Sequence, residues 1–180
     1  AEGAAALAPR LANLPSPRIA VLIGGPNKAF QFTAADAQRL TQNLDALAPN
    51  GAFLVTMSRR TPPDVAALIT FWTKTRHGLV WTGQGVAPLL GAADAIVVTA
   101  DSINMATEAV STGKPVYIAE LPGEPGKFAL FHEALHKAGA TKPLTGEAFA
   151  PWMYTPVNAN PVIAAAVSAR FSAWQVGLKA

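Results

Sequence analysis

The stretch ADAIVVTADSINMATEAVSTGKPVYI, residues 93–118, reads as apolar strand, polar loop, helix, glycine stop and second apolar strand. Ala95 to Val98 is a short run of small and β-branched residues, the length of a buried strand. Asp101 or Ser102 offers an N-cap oxygen to the helix that follows. Gly113-Lys114-Pro115 stops it, because glycine accepts the left-handed cap conformation and proline cannot continue a helix. A helical crossover between two such strands implies parallel pairing, which puts the polar loop at the carboxyl edge of the sheet. A helix N-terminus there is a ready anion site. Helical spacing sets Glu108 on roughly the same face as Asp101 and Met105, within reach of a molecule lying on that edge.

The same alternation extends in both directions. Ile19 to Ile23, Ala52 to Met57, Leu79 to Trp81 and Val116 to Ala119 are further buried-strand runs. Between and after them come helical patterns: Thr33 to Leu47 with Thr33 as cap, Pro62 to Thr73, Gln84 to Leu90, Ser102 to Ser111 and Phe128 to Ala138. The expected class is α/β, a Rossmann-like three-layer α/β/α fold with a mainly parallel sheet, spanning residues 18–160. Residues 1–17, rich in Ala and Pro and without a charged segment before an apolar core, read as a linker or the remnant of a missing N-terminal domain rather than a signal peptide. That start makes the chain look like a fragment. Residues 161–180 read as a C-terminal helix with Ile163, Val167, Phe171, Trp174 and Leu178 on one stripe.

Composition narrows the function classes. With 180 residues, 51% of them hydrophobic, the chain can fill one sizeable core. Net charge is +3, but only 14% of residues are charged and no Lys/Arg run occurs, so no nucleic-acid partner is expected. Absence of cysteine removes thiolate chemistry and fits a reducing compartment. Apolar runs are strand-sized, so no transmembrane segment is expected and the localisation is read as cytoplasmic, at most peripheral to a membrane.

Three more loops fall on the expected ligand edge. Gly24-Gly25-Pro26-Asn27-Lys28 follows the first strand, where unshielded backbone N–H groups and Lys28 would hold a phosphate; otherwise it is a tight turn. Ser58-Arg59-Arg60 follows the second strand and delivers two guanidiniums suited to bidentate phosphate contacts, or else a solvated charged loop. Gly83-Gln84-Gly85, after Trp81, holds two glycines of a dinucleotide fingerprint without the third or its acidic partner. It reads as a loop that lets a base or sugar approach the backbone, or as an ordinary turn.

His132-Glu133-Ala134-Leu135-His136 is a literal HExxH on a helix, the spacing that places two imidazoles and a general-base carboxylate on zinc in metallopeptidases. Taken by itself it points to a zinc hydrolase. The only other histidine, His77, is far away at a strand start and no third ligand is spaced suitably, so a polar helix face is the expectation and no metal is assigned.

Ser102, Glu108, Ala109, Gly113, Pro115 and Val116 resemble the helix motif of the carboxyl-terminal nucleotide-binding domain of GT-B glycosyltransferases. More closely, residues 21–28, 56–62, 98–102 and the tail Pro151-Trp152-Met153-Tyr154-Thr155-Pro156-Val157-Asn158 resemble the mitochondrial-fission ELM (elongated mitochondria) family and its bacterial relatives. The resemblance implies a GT-B-like protein with a second, amino-terminal domain as its partner, and a nucleotide or nucleotide-sugar ligand without further cofactor. By that pattern Glu108 would bind ribose, Gly24-Gly25 and the Asp101-Ser102 turn would face the diphosphate, and the Trp81–Gly85 loop would lie near the base. The expected function is a nucleotide-sugar-binding half of a glycosyltransferase or of an enzyme like a nucleoside-diphosphate-sugar epimerase, inactive in isolation. The alternative is a non-catalytic interaction scaffold of the fission type, and the catalytic residues stay unassigned.

Overall fold

The computed structural model describes the backbone of residues 2–157 and the side chains from Leu7 onward. Six strands, β1 (Arg18–Ile23), β2 (Ala52–Met57), β3 (His77–Val80), β4 (Ala95–Thr99), β5 (Val116–Ala119) and β6 (Thr141–Pro143), form one sheet in the order β3-β2-β1-β4-β5-β6. Every pairing is parallel. Six helices accompany them: α1 (Glu2–Leu11), α2 (Ala34–Leu47), α3 (Pro63–Thr75), α4 (Ala87–Ala92), α5 (Ile103–Val110) and α6 (Lys127–Lys137). The fold is therefore the expected Rossmann-like α/β/α sandwich, with a sheet that is wholly parallel.

Alternation along the strands divides the core into two layers. Ala20, Leu22, Leu54, Ile96, Val98, Val116 and Ile118 pack with Leu7, Leu89, Ala106, Ala109, Val110 and Leu135 on the face of α1, α4, α5 and α6. Ile19, Val21, Ile23, Phe53, Val55, Val97 and Tyr117 pack with Leu40, Leu44, Leu47, Val65, Ile69 and Trp72 of α2 and α3. Burying both faces explains why these strands are continuous apolar runs. Each fully buried Leu or Ile contributes about 1.5–3 kcal/mol. Helix α2 starts where expected: Thr33 Oγ1 caps Asp36 N, and the Asp36 carboxylate takes the Thr33 N–H at 2.8 Å, a capping box.

Three elements depart from the sequence reading. Within residues 1–17, read as a linker or the remnant of an N-terminal domain and given no helix, α1 forms and buries Leu7 in the core, because Ala-rich sequence has high helix propensity that its Pro9 does not cancel. Helix α4 begins at Ala87, three residues later than expected, with Pro88 in its first turn. Strand β6 was not anticipated: Thr-Lys-Pro is too short and polar to read as a strand, and its proline is tolerated because the strand lies at the sheet edge. The C-terminal helix expected over residues 161–180 lies outside the described residues. Among those described, no helix is long and apolar enough to cross a membrane.

Candidate functional site

Strand order reverses direction between β1 and β4, so the loops after these neighbours diverge: α2 covers one face of the sheet and α5 the other. That divergence opens a crevice at the carboxyl edge, the place where doubly wound folds bind ligands. Gly24, Gly25, Asn27, Thr99, Asp101 and Ser102 stand around it.

A buried network joins these loops. Gly24 N–H donates to Thr99 Oγ1 (2.8 Å), and the Thr99 hydroxyl donates to Asp101 Oδ1 (2.7 Å). Asp101 Oδ2 accepts the Gly25 N–H and the Arg60 Nη2–H, each at 2.9 Å. Arg60 Nη1 in turn lies within reach of the Gly25 and Pro26 carbonyls, at 3.2 and 3.3 Å. Asn27 Nδ2 donates to the Asp101 carbonyl, and its Oδ1 takes the N–H groups of Ala29 and Phe30. Ser58 Oγ accepts from Arg60 N, and Ser58 N–H donates to Ile23 O. Added as a β-carbon, a methyl on Gly24 would lie 2.5 Å from Asp101 Cγ, and one on Gly25 would be 2.8 Å from Thr61 N. Both glycines are thus required by close approach between loops.

The structure gives four of the expected groups partners or packing within the protein. The N–H groups of Gly24 and Gly25, expected to cradle a phosphate, are both engaged inside the protein. Asp101 is not the helix cap and does not face the crevice; its carboxylate is buried and fully partnered. Arg60, expected on phosphate, holds Asp101 and the glycine loop instead. Met105 is half-buried and packs against the core, so helical spacing brought it to the sheet side of α5. Ser102 is the N-cap, its Oγ accepting from Met105 N at 3.3 Å.

Other candidates stay on the surface. Lys28, Arg59 and Glu108 are exposed and form no ion pair among the described residues. The amides of Ile103 and Asn104, in the first turn of α5, have no intrahelical acceptor. Gly83, Gln84 and Gly85 are exposed beyond β3, two strands away from the crevice, and fold over Trp81, whose Nε1–H donates to Gly85 O at 3.0 Å. Gly85 adopts φ +68°, which glycine alone takes without strain.

The HExxH imidazoles meet main-chain carbonyls. His132 Nε2–H donates to Ala100 O at 2.8 Å and His136 Nδ1–H to Thr141 O at 3.0 Å, and Glu133 pairs with Lys137. Among the described residues no group of three or more His, Asp or Glu side chains is arranged for a metal ion. A zinc centre built on this motif therefore lacks a third protein ligand there. Residue-by-residue reading missed Thr99 and Thr61, whose hydroxyls bond inside the edge network; a lone threonine ending an apolar strand was the available signal for Thr99.

Comparison with solved structures gives distant overlaps. UDP-GlcNAc 2-epimerase from Neisseria meningitidis, bound to UDP-GlcNAc, matches with TM-score 0.49 at 17% identity over 81% of this chain and 36% of that one. The wall teichoic acid polymerase TagF matches with TM-score 0.40 at 13% identity over 65% and 28%. Sequence relatives are nearer. The mitochondrial fission protein ELM1 of Arabidopsis thaliana is 35% identical over 164 residues, 87% of this chain and 38% of that protein. An uncharacterized Rickettsia prowazekii (strain Madrid E) protein, RP120, is 36% identical over 107 residues, 55% of this chain and 30% of its own. The chain thus spans well under half the length of these relatives. The family model for mitochondrial fission ELM1 matches residues 1–171, and on that match and the 35% identity the chain belongs to the mitochondrial fission ELM1 family.

Proposed function

We propose that the β1/β4 edge binds the diphosphate of a nucleotide or nucleotide-sugar, as one wall of a GT-B-type cleft. The observation that supports this reading is the switch point between β1 and β4, with Lys28, Arg59 and Glu108 exposed on its loops and helix and in no ion pair among the described residues. In this reading the Ile103 and Asn104 amides with Lys28 and Arg59 hold phosphate, Ser102 adds its hydroxyl proton, and Glu108 accepts two hydrogen bonds from a ribose diol. Gly24, Gly25, Asn27, Ser58, Arg60 and Asp101 shape the edge rather than touch ligand. The Gly83-Gln84-Gly85 loop meets the base only if the base reaches across β2. In group transfer, the cations would stabilise the charge that grows on a departing diphosphate. An acceptor and any catalytic base would come from the part of the longer relatives that this chain does not span.

The competing reading is a non-catalytic scaffold of the fission type, favoured by the fact that both glycine amides and Arg60 are already engaged within the protein. Calorimetric titration of the chain with UDP, GDP and CMP and their sugar forms separates the two. Weak nucleotide binding that Glu108→Ala abolishes, without turnover of the sugar forms, is the expected result. Absence of binding by a full-length relative to every nucleotide would leave the scaffold.

A further inference from the structure

A second concave site lies beside α6. About 510 Å³ of space sits between α6 and the β5–β6 end of the sheet, closed by Phe30 and the loop after β5. This is within the size range of small-molecule sites. Its floor and walls include Phe30, Ile118, Leu121 and Pro125, with Glu120, Glu133, His132, His136, Thr141 and Lys142 as its polar side chains. Thr141 lines it and is 3% exposed, and the buried side-chain atom of the lining that has no hydrogen-bond partner among the described residues is Nδ1 of His132. Thr141 pairs in register with Val116, a residue of the α6-side core, so its side chain is on the cavity side of β6. His136 donates its Nδ1–H to the Thr141 carbonyl, which leaves Nε2 as the acceptor on a lining residue. Glu120 and Glu133 add carboxylates at the exposed rim. Lys142 also borders the space, but its ammonium sits 4.4 Å from the Trp152 ring centroid, on the side of the sheet where Trp152 packs against Tyr117.

From an apolar interior, the Thr141 hydroxyl, the unpartnered Nδ1 of His132 and the Glu120 carboxylate, which forms no ion pair among the described residues, we infer that this cavity is a binding site for a small amine with an apolar body and a hydroxyl. The hydroxyl would meet Thr141 and His136, and the ammonium would meet Glu120. An anion is disfavoured, since it would face the Glu120 carboxylate, which forms no ion pair among the described residues, whereas Glu133 is already paired with Lys137. The cavity adjoins the carboxyl edge at Ala100, between Thr99 and Asp101, so a nucleotide titration run beside the amine titration tells the two sites apart.

Three molecules of one shape and different charge test this: tyramine, tyrosol and 4-hydroxyphenylacetate. Titrated into the full 180-residue chain with NMR detection, tyramine should bind saturably and shift the amides of Ala129, His136 and Thr141. Tyrosol should bind about tenfold more weakly and the carboxylate not at all. Glu120→Gln should bring tyramine and tyrosol to the same affinity. Thr141→Val, which keeps the buried shape, should weaken both about tenfold while the thermal transition and the nucleotide titration stay unchanged. No binding by tyramine, equal binding by the carboxylate, or indifference to Thr141→Val in a folded variant overturns the assignment.

Discussion

Arg60 Nη2 lies 2.9 Å from Asp101 Oδ2, with the Asp101 side chain wholly hidden from solvent and that of Arg60 48% exposed. This one pair ties the loop after β2 to the loop after β4, across β1, and it puts an otherwise mobile cation and a buried anion in fixed positions. The two partners are unequal. Asp101 has four oxygen contacts to satisfy inside the protein, counting the Asn27 bond to its carbonyl, whereas Arg60 can be re-solvated at little cost.

Substitution of the pair should therefore be asymmetric. Asp101→Asn puts an N–H₂ or a weaker acceptor against the Gly25 and Arg60 donors, and a loss of about 2 kcal/mol is expected from urea unfolding. Arg60→Met leaves the buried carboxylate without its counter-ion, though still with the Gly25 and Thr99 donors, and should lose more, about 3 kcal/mol. A smaller loss from Arg60→Met would mean that the buried carboxylate does not depend on its counter-ion.

Two glycines should respond in opposite directions to alanine. At Gly24 the new methyl would overlap the Asp101 carboxylate, which is held on three sides, so a loss of about 1–3 kcal/mol or more is expected. At Gly91, inside α4, no atom lies within 4 Å of an added β-carbon and the backbone is helical. Gly91→Ala should raise stability by up to about 1 kcal/mol, seen as a higher melting temperature.

Tyr154 should govern alkaline unfolding. Its hydroxyl sits 2.8 Å from Lys114 O and 3.2 Å from Val110 O, and burial raises its pKa from 10.0 to about 12. The raised folded value means that the unfolded chain loses its proton first, so stability is fully present below pH 10 and falls as pH climbs toward 12. The wild type should lose on the order of 2 kcal/mol more than Tyr154→Phe across that interval. Parallel pH profiles for the two proteins would count against it.

Charge reversal at the edge separates the residues that face outward from those that hold the loops. Lys28→Glu and Arg59→Glu should each weaken nucleoside-diphosphate binding about tenfold and reduce its dependence on salt, with unfolding transitions unchanged. A stability loss in either variant would instead reveal a structural role.

Metal removal should do nothing. His132 and His136 are held by the carbonyls of Ala100 and Thr141, so dialysis against EDTA is expected to leave the melting temperature where it was. Stoichiometric zinc in the purified chain would contradict this.

The architecture was legible because strands buried on both faces read as apolar runs, and capped helices between them read by their start and stop residues. Thr33, Pro62 and Gly113 announced their helix ends locally. Strand β6 was not legible: a three-residue edge strand is defined by its neighbour β5 rather than by its own side chains. Helix α1 was hidden for a related reason, since whether Ala-rich sequence is ordered depends on finding an apolar surface, here the one Leu7 enters.

The candidate site divides in the same way. Sequence by itself determined which loops arrive at the carboxyl edge, because crossover handedness and strand order follow from the alternation of strand and helix. Only the tertiary structure decided what the side chains do there. Arg60 and the Gly24-Gly25 amides carry donors that suit a phosphate, yet each found an acceptor 34 or more residues away in sequence, chiefly Asp101, and a buried polar group takes such a partner because leaving it unpaired costs more than any exposed contact returns.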